Sequence, residues 1–315
     1  MFPPFTIIWN PRNPRPMTLL QILMTAVLMC SFPGALLADD AAIAKRLETL
    51  GGKVTFQDGK VSDLEFRDSR NLGEDEWRAI GQLAHLKKLT AYGGAKGLND
   101  NTVGHLADLK ALESLSTDGA QLSDAGLEKL AEIKTLRSAA FFHLSFRKEG
   151  FTGKGFSAWQ GLPNLERLTV AGMSMGDEGF EAITGIKTLK ELRTWHTYQS
   201  EAGNASIAKL PHLTSLKLGQ RLPRGNKLPP SLSDASLPVL AKIEPLETLE
   251  IGEARFSLDA LRELKALPNL KRLKIDRTEL TKEDVEQLRG ELSGVKVDFE
   301  PITPEQQTKL DAYLK

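Results

Sequence analysis

Leu165-Glu166-Arg167-Leu168-Thr169-Val170 decides how the rest of the chain is read, because the same hexad returns as Leu189 to Thr194, Leu246 to Ile251 and Leu270 to Ile275. Its alternation sends Leu168 and Val170 to one side of an extended strand, and Thr169 and Ala171 to the other. Equivalents of the fourth residue fall at positions 64, 89, 115, 139, 168, 192, 216, 249, 273 and 297, in steps of 25, 26, 24, 29, 24, 24, 33, 24 and 24. A step this regular predicts one strand per unit, all stacked into a parallel sheet.

Between strands the pattern changes to helical spacing. Leu122-Ser123-Asp124-Ala125-Gly126-Leu127-Glu128-Lys129-Leu130 and Met175 to Ile183 place apolar residues three to five apart behind an aspartate, read here as the cap of its own helix. Pro163, Pro211, Pro245 and Pro268 come shortly before the next strand, where the preceding residue is pushed out of helical geometry. Strand period, helix period and repeat length together are the signature of leucine-rich repeats. The expected fold is therefore an α/β leucine-rich-repeat solenoid, a curved horseshoe with the sheet on its concave face and short helices on its convex face.

The bend position that often holds asparagine in such repeats here holds Ala120, Leu144, Met173, Thr197, Arg221, Ala254 and Thr278, so no asparagine ladder is expected. With its Thr/Ala-type units of about 24 residues, the chain resembles the exported bacterial leucine-rich-repeat proteins. The resemblance spans about residues 54 to 300 and lies in Leu122 to Leu130, Met175 to Ile183, Leu232 to Leu240 and Leu280 to Leu288. It implies the fold and says little of function, since one fold hosts many activities.

Residues 1–38 read differently. Arg12 and Arg15 precede an uncharged run from Thr18 to Phe32, then Pro33, Gly34 and Ala35-Leu36-Leu37-Ala38, which is the architecture of a secretory signal peptide cleaved after Ala38. The expected location is exported, periplasmic or secreted, with no stable membrane span after cleavage. Met29 ahead of Cys30 does not fit a lipid-modified cysteine, and cleavage removes the chain's single cysteine, and with it disulfides and thiol chemistry. It also changes 41 basic against 41 acidic residues to 39 against 41, which offers no basic excess for nucleic acid. Residues 39–66 read as an N-terminal capping helix and hairpin, 67–295 as the repeats, and 296–315 as a C-terminal capping strand and helix opened by Thr303-Pro304-Glu305-Gln306.

The outward positions form a row: Tyr92, Asp118, Phe142, Ala171, Trp195, Gly219, Gly252 and Asp276. Strands lie ~4.8 Å apart, so Tyr92 and Phe142, and then Phe142 and Trp195, are expected roughly 10 Å apart, walling a trough. Large aromatics facing solvent typically anchor a binding surface; the competing reading is that the rings cover one another. His143, His196, Arg193 and Arg167 stand beside them. The two imidazoles are two repeats apart with no third ligand in their row, so neither metal nor catalysis is expected.

Two long units carry Arg147, Lys148 and Lys154, and Arg221, Arg224 and Lys227, expected as basic loops on one rim and able to meet a phosphate or carboxylate. Gly150 to Gly155 lacks the spacing and the Ser or Thr of a phosphate loop, and no zinc-protease, nucleophile-elbow or calcium-loop motif occurs. Asn204-Ala205-Ser206 is a formal glycosylation acceptor, read as chance. The expectation is a non-enzymatic, cofactor-free recognition module for a protein or peptide on the concave face, with envelope carbohydrate or a purely structural scaffold as alternatives.

Overall fold

The computed structural model describes residues 39–145, 150–222 and 229–314; the expected signal peptide, 1–38, lies outside them. Helix α1 (Asp40–Thr49) leads into β1 (Gly52–Gln57) and β2 (Lys60–Phe66), followed by α2 (Glu74–Gly81), β3 (Lys88–Ala91), β4 (Ser114–Asp118) and α3 (Asp124–Leu130). Next come β5 (Ser138–Phe142), β6 (Arg167–Ala171), α4 (Asp177–Thr184), β7 (Glu191–Trp195), α5 (Glu201–Ala205) and β8 (Ser215–Leu218). The last are α6 (Leu237–Leu240), β9 (Thr248–Gly252), α7 (Leu258–Arg262), β10 (Arg272–Asp276), α8 (Lys282–Glu291), β11 (Lys296–Glu300) and α9 (Pro304–Tyr313). Short 3-10 turns fill several of the remaining connections.

All eleven strands form one open sheet in chain order. The β1–β2 hairpin is antiparallel and every later pair is parallel. The register runs Leu64, Leu89, Leu115, Ala139, Leu168, Leu192, Leu216, Leu249, Leu273, Val297 without a slip. That is the column counted from the sequence, and all of it is buried. A fully buried leucine stabilises by ~1.5–3 kcal/mol, so a one-residue slip, which would turn the column to water, is strongly disfavoured. The four prolines occupy the turns between helix and strand, as expected. The chain is an α/β leucine-rich-repeat solenoid. Helices, about 10 Å across, are wider than the strand spacing, so the sheet takes the inner side of the curve.

Two devices tie neighbouring units where an asparagine ladder is missing. The first is backbone. After the last outward position of β3 to β7, β9 and β10 the chain turns left-handed, at Gly93, Gly119, His143, Gly172, His196, Glu253 and Arg277. Most of their N–H groups then donate to the next unit: Gly119 to Phe142, His143 to Ala171, Gly172 to Trp195 and His196 to Gln220, at 2.8–3.1 Å.

The second device corrects the reading of the aspartates. Ser123, Ser200 and Ser257 cap their own helices. An aspartate at or just before the helix start reaches forward instead. Asp100 accepts from Ser123 N–H at 2.7 Å, Asp177 from the N–H and hydroxyl of Ser200 at 2.7 Å each, and Asp234 from Ser257 N–H at 2.8 Å. Asp124 spans the longer unit and accepts from Thr152 N–H, the Thr152 hydroxyl and Gly155 N–H. Glu201 does the same for the hydroxyls of Ser233 and Ser236.

The other long unit is held by a buried polar knot. Gln220 accepts from the N–H and hydroxyl of Ser231 and donates to the carbonyl of Leu232, while Asn204 donates to the carbonyl of Ser231 and accepts from Gln199. Gln199, Asn204, Gln220 and Ser231 are all buried. The Asn204 amide is thus committed to the interior, which removes it as a glycan acceptor in the folded chain.

Candidate functional site

Outward residues of β3 to β10 lie in three parallel rows on the sheet face; beyond the row that runs from Lys88 and Ser114 to Arg272 lie two others. One begins with small side chains, Thr90, Ser116, Ala140 and Thr169, and continues as Arg193, Lys217, Glu250 and Lys274. The other is the row that carries the aromatics. Phe141 is fully buried while Phe142 faces out, so the alternation at this doublet falls as expected.

The rings do not wall a trough. Tyr92 and Phe142 meet edge to face at 5.9 Å between centroids, and Phe142 and Trp195 meet at 6.1 Å. Only Asp118 and Ala171 separate them along the row, and these short side chains let the rings lean across and touch. Such pairs gain about 0.5–1.5 kcal/mol beyond area burial. The result is a continuous aromatic ladder. Tyr92, at 38% exposure, is its most open member.

Trp195 joins the ladder to a group of charges. Lys217 Nζ lies 5.0 Å from the centre of its ring. The same ammonium is 2.5 Å from Glu250, with Lys274 Nζ at 3.3 Å and Arg193 at 4.0 Å from that carboxylate. Burial pushes Glu250 up, but Lys217 and Lys274 outweigh it and hold the carboxyl below its ordinary range.

The imidazoles each find a carboxylate. His143 Nδ1 is 2.8 Å from Asp118, and His196 Nε2 is 3.0 Å from Glu253. The second pair reaches across the intervening strand because Gly219 leaves room: a Cβ there would lie 2.8 Å from Trp195 Cβ and 3.2 Å from Glu253 Oε2. Arg277 also bonds Glu253 and, through Nε, Asp276 at 3.1 Å. Gly252 makes space for Asp276 in the same way. Burial raises the Glu253 carboxyl, but His196, Arg277 and the Gln220 backbone together hold it lowered. A cleft of about 280 Å³ opens beside the cluster, lined by His196, Glu253, Arg277, Gln306, Lys309 and Leu310. Sequence reasoning missed Glu253 and Arg277. Glycines at outward strand positions flanked by charged residues were the available signal.

The basic loops do not form a paired rim among the described residues. Arg221 is buried, with its guanidinium donating to the Pro229 carbonyl and pushed down by burial. Lys154 lies on the helical face, 2.8 Å from Glu178, beside a groove of about 810 Å³. The bend is packed tightly enough to swallow Arg221, and the ties to Asp124 carry 152–155 to the helices. Arg147, Lys148, Arg224 and Lys227 lie outside the described residues. Among the described residues no group of three His, Cys, Asp or Glu side chains is placed to hold a metal, and no helix is long and apolar enough to cross a membrane.

No protein-family model and no curated protein matches this chain. Among solved structures it is similar to an internalin from Listeria monocytogenes, with TM-score 0.45 and 16% identity over 70% of this chain and 69% of that one. It is also similar to internalin C2 of the same organism, with TM-score 0.47 and 16% identity over 71% of this chain and 84% of that one. Neither likeness bears on function at this level.

Proposed function

We propose that the chain is a non-enzymatic recognition module that binds a protein or peptide on the sheet face, through Tyr92, Phe142 and Trp195 with His143, Arg193 and His196 beside them. The observation that carries the reading is the solvent-facing aromatic ladder on an otherwise polar sheet. Contact between the rings accounts for part of their placement, but Tyr92 stays open to solvent, and large rings on the wet side of a sheet typically anchor a binding surface. Export rests on the sequence of residues 1–38, and residues 39–66 and 296–315 are proposed as the covers of the two solenoid ends. Recognition is favoured over catalysis because His143 and His196 each bond a separate carboxylate rather than converging on a shared cleft. Carbohydrate stacking wants open ring faces. Edge-to-face packing and Lys217 over Trp195 leave less of them, which favours a polypeptide.

Affinity capture from envelope extracts tests this, comparing wild type with the Phe142→Ala, Trp195→Ala double variant. Loss of two anchors is expected to weaken capture of a specific partner by at least about tenfold. Equal capture by a variant whose circular dichroism is unchanged refutes it.

A further inference from the structure

Beside the ladder runs a shallow bed. Thr90, Ser116, Ala140 and Thr169 are consecutive in register and offer no side chain larger than threonine. Three strand steps make this bed about 14 Å long, which an extended chain rising ~3.3 Å per residue covers with about four residues. At its far end the next two residues in the same row are Arg193 and Lys217.

The charge there is not balanced. Arg193, Lys217 and Lys274 gather round Glu250, and Glu191, 3.8 Å from Arg193, is the other carboxylate in the group. Three cations against two carboxylates leave one positive charge at the place where the bed stops. Arg193 is the most exposed of the three cations, with 41% of its side chain open to solvent. On the bed's flank stand rings that prefer apolar side chains. A ligand that lay along the bed would therefore meet aromatic surface first and a cation at the end.

From this juxtaposition we propose that the partner is an extended acidic peptide segment: an apolar or aromatic side chain set against Tyr92–Phe142–Trp195, and a carboxylate about four residues away held by Arg193 and Lys217. The assignment rests on the sheet-face recognition reading and names the chemistry of its ligand. It accounts for the small residues of the bed, which leave a backbone room to lie flat, and for the net positive charge of a group in which three cations share two carboxylates. The electrostatic part is solvent-exposed, so it weakens with salt over a Debye length of about 8–10 Å.

A random-heptapeptide phage library panned on the immobilised full chain tests both levels. Wild type is expected to enrich peptides with Asp or Glu about four residues from an aromatic or branched apolar residue, with acidic over basic side chains by about threefold, the range of an exposed ion pair. The Arg193→Glu, Lys217→Glu variant should reverse that sign while keeping the apolar preference. The Glu250→Gln variant, which leaves the cations and removes a carboxylate, should strengthen the acidic preference and serves if the reversal variant does not fold. Apolar enrichment with no acidic preference, or an acidic preference indifferent to these changes, overturns the peptide chemistry alone. No enrichment over the Phe142→Ala, Trp195→Ala variant overturns the sheet-face reading itself.

Discussion

Glu253 sits in left-handed backbone, φ 59°, at a place where other units use glycine. That conformation costs a non-glycine residue of the order of 1 kcal/mol, offset here by bonds to His196 and Arg277. Its carboxyl is held below its ordinary value, so the stability it contributes is present above the usual carboxylate range and lost as pH falls through the folded value. Glu253→Gln should lower stability at pH 7 by about 1–3 kcal/mol and flatten the decline of Tm between pH 6 and 3, followed by thermal circular dichroism. An unchanged acid limb would remove the cluster from any account of stability. These residues were hard to read in the sequence because the left-handed position takes Gly, His, Glu and Arg in turn. His196 and Glu253, 57 residues apart, meet only because Gly219 between them has no side chain. The ladder shows another limit: alternation put Tyr92, Phe142 and Trp195 on the outward face, but strand spacing alone did not show that the rings lean from the expected ~10 Å to about 6 Å between centroids.

Between elements, the forward-reaching carboxylates replace what asparagine does in other repeats. Asp124→Ala frees three donors of the next unit and is expected to cost about 2–3 kcal/mol. Asp177→Ala frees the Ser200 N–H and hydroxyl and should cost about 1–2 kcal/mol, each judged by urea denaturation. Equal small effects for the two would mean that water replaces these bonds freely. Strand positions, helix stretches and terminating prolines were all legible because their periods are fixed by backbone geometry. The direction of the aspartate bond was not. A Ser-Asp pair at a helix start satisfies local capping rules by itself, and only the stacking of units reveals that serine caps while aspartate reaches onward.

Across the whole molecule, neighbour-to-neighbour contacts make stability a chain of couplings. The knot at Gln220 is where the longest unit is held to its neighbours. Gln220→Ala would bury the N–H of Ser231 without its acceptor, so amide exchange is expected to rise first in β8 and β9 and to spare β2 to β4. Uniform acceleration along the sheet would mean that the solenoid unfolds as one unit. The repeat count gave this one-dimensional architecture from the sequence. It did not give the burial of Arg221, because loop composition reports charge and not how tightly the bend closes. The placement of the tryptophans carries an optical consequence. Trp77 and Trp159 are sealed in the interior, Trp9 precedes Asp39, and Trp195 alone among the described tryptophans touches solvent. Iodide, drawn by the neighbouring ammonium of Lys217, should quench a red-shifted emission that Trp195→Ala removes, so the molecule carries its own fluorophore on the surface whose occupancy matters most.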